Sequence, residues 1–384
     1  MATTLAVVVG GICSQAANDN RKGRRYARWA TRGSTVLYTI EERVILEQTE
    51  KPGGLEWQER EWNIGTLKGL RAGTKAAGLI EHGMYADGTL LQNAVHVLVG
   101  REEGPVLYIQ AAVHGDEVNG VEVLRQIVTG LDPQQLRGVL IVVPVANGPG
   151  FVMHQRRHPA DREDMNRVWP GKVDGSVSQQ TAYNLYQQAI QHAQYVIDLH
   201  TASSNTQLHV VYGHNDAGSR ALAEVFALDI LLEEEVDENL KQFRFQGKLR
   251  NMLNEQGIPA ITPELGGDNR LEMENVALGV RGVTNVLKYL KMIPGEIVPP
   301  DRPQITLHGS HMDGVFAHQG GFWIRQVKGG DRVSQGQTLG HIYSLRTFEV
   351  VEVLTAPYNG HILGTTDSPT INLGDSVITI CRTD

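Results

Sequence analysis

His114 and Glu117 stand three residues apart, directly after the apolar run Val106 to Val113. A neutral imidazole nitrogen and a carboxylate oxygen are two of the ligands that a catalytic zinc accepts. Such a site takes a third protein ligand and leaves its fourth position to water. The run before the pair reads as a buried strand, so both side chains emerge where the strand ends and the chain turns, which is where open α/β sheets carry their chemistry. Alone, this spacing is a weak signal, because a His and a Glu three apart recur by chance. A second strand-end histidine, His200, follows Tyr195 to Leu199, a run that is apolar apart from Asp198, and it is the natural third ligand. The stretch from Ile258 to Pro263 ends in the same form and delivers Glu264 into a turn containing Gly266 and Gly267.

The chemistry-bearing residues fall in five separated stretches. In order they are His114-Gly-Asp-Glu117; Asn147-Gly-Pro149-Gly150-Phe151; Arg156 with Pro159, Asp161, Asp164-Met-Asn166-Arg167 and Pro170-Gly171; Asp198-Leu-His200-Thr201; and Glu264-Leu-Gly-Gly267. Together they resemble the succinylglutamate desuccinylase and aspartoacylase family, a branch of the zinc carboxypeptidase superfamily, and within it the bacterial N-acetyl-diaminobutyrate deacetylase-type members. The resemblance spans about residues 65 to 384. It implies one Zn2+ per chain, held by His114, Glu117 and His200. It also implies that Glu264 accepts a proton from water and hands it to the departing amine, that Arg156 stabilises the tetrahedral oxyanion, and that Asn166 with Arg167 grips a substrate carboxylate. If the loop is displaced by one residue, the oxyanion role passes to Arg157. Met165 stands where the family usually has Leu, and Gly148 interrupts the Asn-Pro-Gly element.

Other polar residues near these stretches carry less. Asp116 and Asp198 adjoin the ligands and either orient an imidazole or cap backbone. His154, His158, His209, His214, His308, His311 and His318 have no metal-like spacing and are expected to be ordinary surface or loop residues. Ser203 and Ser204 lie close to His200, but no Gly-x-Ser-x-Gly elbow surrounds them, which argues against a serine hydrolase.

The elements that must position these residues alternate between strand and helix as far as residue 265, which implies a largely parallel sheet covered on both sides. Strands are expected near 77–82, 95–99, 106–112, 139–146, 195–199 and 210–213. Helices are expected over 119–127, 178–193, 220–227 and 272–291. The polar segment 147–175 is too long for an ordinary connection and is expected to be functional. Pro294, Pro299, Pro300 and Pro303 mark a linker, and the short Gly/Asp-punctuated strands beyond it resemble the barrel-sandwich fold of lipoyl and biotinyl domains. The position of the modified lysine is occupied by Glu349, which excludes a carrier. The fold class expected is α/β, a zinc-carboxypeptidase-like mostly parallel or mixed sheet with helices on both faces, followed by a small all-β barrel-sandwich-like C-terminal module. The corresponding divisions are a poorly ordered basic tail (1–35), an N-terminal β-rich extension (36–76), a zinc hydrolase catalytic domain (77–295) and the β module (296–384). Within the extension, 35–40 and 43–46 read as strands, and Trp57 and Trp62 have no assigned task.

With 384 residues the chain can hold a catalytic domain and a smaller module. A formal net charge of -8 and the lack of a basic stripe argue against a nucleic-acid partner. Cys13 and Cys381 lie near opposite termini, which is no disulfide framework and points to a reducing cytoplasm. The apolar stretch from Leu5 to Cys13 is too short to span a membrane, and its basic residues follow it, the wrong order for a secretory signal. The expected activity is zinc-dependent hydrolysis of the amide of a small N-acyl amino acid or related carboxylate-bearing substrate, and the partner that the resemblance implies is a second copy in a homodimer. The rivals are a zinc metallocarboxypeptidase and a non-catalytic zinc-binding protein. A deacylase should have its pocket closed off by the β module, whereas a peptidase must leave a groove open.

Overall fold

The computed structural model describes residues 61–202, 205–235 and 247–383, together with the backbone of four strands within residues 6–39. Residues 1–50 form one unit. In it β1 (Ala6–Val9), β2 (Ile12–Asp19), β3 (Arg24–Thr31) and β4 (Ser34–Thr39) pair in succession as an antiparallel sheet. The stretch expected to be a poorly ordered tail, 1–35, thus contains β1 to β3 and the start of β4. The strand expected at 43–46 and Trp57 lie outside the described residues, as do Ser203 and Ser204.

Residues 51–384 form the second unit. A ribbon of β5 (Trp62–Ile64) and β6 (Leu67–Leu70) precedes a nine-stranded mixed sheet. Its strands in chain order are β7 (Thr74–Met84), β8 (Leu90–Val99), β9 (Glu102–Ala111), β10 (Arg137–Val143), β11 (Tyr195–Leu199), β12 (His209–Gly213), β13 (Ile230–Glu234), β14 (Ala260–Glu264) and β15 (Ile305–His308). In space they run β15-β13-β12-β14-β11-β9-β10-β8-β7. β10, β9, β11 and β14 make a parallel centre. On one flank β8 and β7 pair antiparallel; on the other β12 runs antiparallel to β14 before β13 and β15 continue parallel to it.

The connecting helices are α1 (Asn119–Gly130), α2 (Gly148–Val152), α3 (Val177–Gln188), α4 (Ala217–Phe226), α5 (Leu249–Glu255) and α6 (Met273–Tyr289). Strand alternation divides the sheet's side chains between two faces. Leu107, Ile109, Ile197, Leu199 and Ile261 turn toward α1, α4 and α6 and meet Val123, Leu124, Phe226, Val276, Val283 and Val286 in one core. Each fully buried aliphatic side chain there contributes about 1.5–3 kcal/mol relative to exposure. The opposite face carries Tyr108, Gln110 and Asp198, and it holds the functional cavity.

The edge strand β15 lies beyond the proline-rich segment, inside the stretch 296–384 assigned from sequence to the β module. It covers the hydrogen-bonding edge of β13, with Ile230 opposite Ile305 and Leu232 opposite Leu307, an edge that would otherwise be open. The module proper contains β16 (Met312–Phe316), β17 (Gly321–Arg325), β18 (Arg332–Val333), β19 (Thr338–Tyr343), β20 (Val350–Thr355), β21 (Gly360–Thr365), β22 (Thr370–Ile371) and β23 (Ser376–Arg382). These form two four-stranded sheets, β16-β23-β21-β18 and β20-β19-β17-β22, closed over Trp323, Leu339, Ile342, Leu354, Ile362 and Ile378. Glu349 is exposed in the connection between β19 and β20. A second apolar cluster, in which Val211, Ile230, Leu232 and Leu307 meet Leu363 and Cys381, fastens the module to the cavity-bearing face of the large sheet.

Candidate active site

Three neighbouring parallel strands, β9, β11 and β14, end side by side about 4.8 Å apart, and each hands one or two polar residues to the same place. After β9 the chain turns through Ala112, a non-glycine residue at φ 50°, and reaches His114 and then Glu117 just before α1. His200 directly follows β11, and Glu264 is the last residue of β14. The turn is packed so closely that a Cβ on Gly115 would come 2.0 Å from the carbonyl carbon of Gly150. Two of the sequence stretches are therefore backbone in contact with backbone.

His114, Glu117 and His200 are all buried, and one ligand atom from each lies within 4.8 Å of the others. Glu117 Oε1 is 2.5 Å from His114 Nδ1, and its Oε2 is 2.8 Å from His200 Nδ1. The far nitrogens face two other carboxylates: His114 Nε2 is 3.0 Å from Asp164 Oδ1, and His200 Nε2 is 3.0 Å from Asp198 Oδ2. A carboxylate only accepts, so every one of these four nitrogens faces an acceptor: the outer ones donate to Asp164 and Asp198, and the inner Nδ1 atoms share either a proton or a metal ion with Glu117. Two carboxylate-oriented imidazoles and a carboxylate with ligand atoms this close are a donor set that fits a zinc ion. Positive charge is favoured here. Burial opposes charge on both imidazoles, but Glu117 with Asp164 outweighs it at His114, and Asp198 with Glu117 outweighs it at His200, so both pKa values move up. Burial likewise opposes charge on Glu117, yet His114 and His200 hold its carboxyl well below the usual range.

Arg156 reaches this cluster, with Nη1 3.3 Å from Glu117 Oε1 and Nη2 3.2 Å from Asp164 Oδ2. Arg157 turns away and donates to the Arg162 carbonyl at 3.2 Å, so the structure brings Arg156 rather than its neighbour to the cavity. Asn166 is buried; its Oδ1 accepts from the Leu249 amide at 3.1 Å, tying the loop to the start of α5, and Arg167 Nη1 donates to the Asn166 carbonyl at 2.7 Å. Glu264 sits beside the cluster with Oε2 buried and without a hydrogen-bond partner. Burial, above all, pushes its carboxyl up to about 7, in the range where one group can both take and return a proton.

All seven sequence-predicted residues line one cavity of about 350 Å³, near the small end of small-molecule sites. Its floor is the module-facing side of β12, β13 and β14, with Val211, Leu232 and Thr262. The β module supplies the opposite wall with Met312, Leu363 and Thr379. Of the two aspartates left open by the sequence, Asp198 orients an imidazole and is itself held by Gln110 Nε2 at 2.9 Å. Asp116 contacts neither ligand, and its Oδ1 is buried without a partner. Two residues were not singled out. Asp164, which lies inside one of the quoted stretches, orients His114. His209, expected as a surface or loop residue, is 4% exposed and lines the cavity; the signal available was its place at the head of an apolar run. His158 is likewise buried rather than superficial.

Residues 103–290 match the protein family described as the succinylglutamate desuccinylase/aspartoacylase catalytic domain. Over these residues the chain is similar to that family. Among curated proteins, N-alpha-acetyl-L-2,4-diaminobutyric acid deacetylase of Halomonas elongata is 27% identical over 301 residues, covering 74% of this chain and 84% of its own length. Among solved structures, the product-bound ectoine utilization protein EutE (DoeB) of Ruegeria pomeroyi superposes with a TM-score of 0.73 at 23% identity, covering 80% of this chain and 95% of that one. A family member from Rhodobacter sphaeroides gives 0.71 at 24% identity over 81% and 96% of the two chains. These superpositions establish the shared family fold: a mixed α/β body followed by antiparallel β sheets. Among the described residues, no helix is long and apolar enough to cross a membrane.

Proposed function

We propose that this protein is a zinc-dependent deacylase that hydrolyses the amide bond of a small N-acylated amino acid carrying a free carboxylate. The observation that carries the reading is the convergence of the His114–Glu117–His200 donor set, Glu264 and Arg156 at one end of a small cavity whose opposite wall belongs to the β module. A bound zinc ion would supply Lewis acidity and lower the pKa of water at the site toward about 7. Glu264 takes the proton of the attacking water and returns it to the departing amine nitrogen. The Arg156 guanidinium, fixed by Glu117 and Asp164, meets the negative charge that grows on the carbonyl oxygen. Arg167, with Asn166 beside it, pairs with the substrate carboxylate, for which a planar guanidinium offers two parallel donors.

The wall that Met312, Leu363 and Thr379 raise across the cavity favours this reading over a metallocarboxypeptidase, which needs a groove that runs on for the remainder of a peptide. The retained Glu264 and Arg156 favour it over a structural metal site, which has no use for either. We further propose that residues 77–295 with β15 are the catalytic body, and that the strands after β15 are its lid-forming module. The name of the Halomonas relative suggests N-acetyl-diaminobutyrate as one substrate to try. The test is amine release from a panel of N-acetyl, N-succinyl and longer N-acyl amino acids beside short peptides, with and without chelator and added zinc. Chelator-sensitive release from acyl amino acids alone is expected. Release from peptides would move the reading to a carboxypeptidase, and failure of the zinc-loaded protein on the whole panel would remove it.

A further inference from the structure

One ionisable group in the cavity has no task in the reaction just described. His209 is the first residue of β12, almost fully buried, with Nδ1 2.8 Å from the backbone oxygen of Gln207. A carbonyl oxygen can only accept, so Nδ1 carries the hydrogen and the tautomer is fixed. Nε2 is left as a lone pair, a group able to accept but not to donate. Burial pushes the ring's pKa down to about 4, against a smaller opposing effect of the Gln207 bond, so the imidazole stays neutral at physiological pH.

The register fixes its place. In the antiparallel pair of β12 and β14, His209 lies directly opposite Glu264. Directly opposed residues send their side chains to the same face with Cβ atoms about 4.5–5.5 Å apart, and both residues line the cavity. No hydrogen bond joins them among the described residues, so Nε2 is not occupied in holding Glu264. The charged groups around this end are guanidinium donors and carboxylates. The neutral, acceptor-only nitrogen therefore suits a neutral donor that arrives with the substrate.

The proposed reaction brings one such donor beside Glu264, the N–H of the scissile amide. When water adds to the carbonyl carbon, the nitrogen becomes pyramidal and gains a lone pair; the C–N bond then breaks as that lone pair takes the proton carried by Glu264. Transfer requires the lone pair to face Glu264, which turns the nitrogen's own hydrogen elsewhere. We infer that His209 Nε2 accepts the scissile amide N–H and thereby holds the leaving nitrogen with its lone pair toward Glu264. His209 neither gains nor loses a proton in the cycle; it is a positioning residue that reads an amide as distinct from an ester. This inference rests on the deacylase reading.

The test compares an N-acyl amino acid with the ester of the same acyl group and the corresponding hydroxy acid, which has no N–H, using zinc-loaded wild type, His209→Leu and His209→Gln. His209→Leu should lower kcat for the amide about tenfold to a hundredfold, the range for one lost hydrogen bond between buried partners. Its kcat for the ester should change less than about threefold. His209→Gln, which retains an acceptor oxygen, should recover part of the amide rate, so the inference stays testable if the Leu variant folds poorly. Equal loss on amide and ester, or no loss on either, overturns the inference and leaves the deacylase reading intact. Wild type that cleaves neither compound overturns both.

Discussion

The two ends of the cavity treat buried charge in opposite ways. At the far end Glu234 is held on both oxygens, by Lys248 Nζ at 2.7 Å and by Arg250 Nη2, so its charge is balanced within the protein. At the near end two imidazoles and a carboxylate bring ligand atoms within 4.8 Å of one another, and Glu264 Oε2 has no hydrogen-bond partner among the described residues. A carboxylate paired on both oxygens resists change, whereas a cluster able to hold a metal ion and an acid held near pH 7 are suited to exchange partners. Similar residue types thus serve different ends, and what separates them is whether each carboxylate oxygen already has a fixed partner.

This contrast can be broken or sharpened by substitution. Glu117→Gln is expected to have the largest effect, with bound zinc falling from one equivalent toward none and activity lost with it; metal analysis showing full occupancy would detach Glu117 from the ligand set. Glu264→Gln should retain the metal yet lose about 10²–10⁴-fold in kcat, the usual range for removing a general acid–base group. Full activity would take Glu264 out of the reaction. Arg156→Ala should cost about 10²–10³-fold in kcat, while Arg157→Ala changes little; the reverse order would mean that the loop carries the neighbouring arginine into the site.

At the quiet end the expected effect is on stability. Burial raises the Glu234 carboxyl, but Arg250 and Lys248 outweigh that and hold it at about 2. A folded value below the unfolded one contributes stability that is present above pH ~4.5 and lost as pH falls through about 2, on the order of 3 kcal/mol at neutral pH. Glu234→Gln should therefore lower stability at pH 7 and flatten the acid limb of an unfolding curve, with zinc still bound. Loss of zinc in this variant would mean that the two ends are coupled after all.

The near end was legible in the sequence because strands buried on both faces read as apolar runs broken by at most one polar residue, and each run stops at a polar residue: Val113 before His114, Leu199 before His200, Pro263 before Glu264. The far end was not. The apolar run before it is only three residues, Ile230 to Leu232, and Glu234 stands within Glu233-Glu234-Glu235, which reads as a solvated acidic cluster. Its partners come from a helix of seven residues, α5, too short for a periodic signal. His209 was missed for a related reason, since its importance depends on pairing with a strand some fifty residues later, and register leaves no trace in local composition. The edge strand β15 buries only Leu307 among its four residues, so neither alternation nor an apolar run revealed it behind the prolines.

That edge strand bears on how the protein can be cut. The family match ends at residue 290 and the proline-rich segment begins at Pro294, which together look like a natural point for truncation. Ending the chain there would strip β15 from the sheet and uncover Ile230 and Leu232 along with the open amide edge of β13. An apolar strand with unpaired backbone groups is a template for other chains. A shortened catalytic fragment is therefore expected to aggregate, and any expression design should carry the chain through the end of the β module.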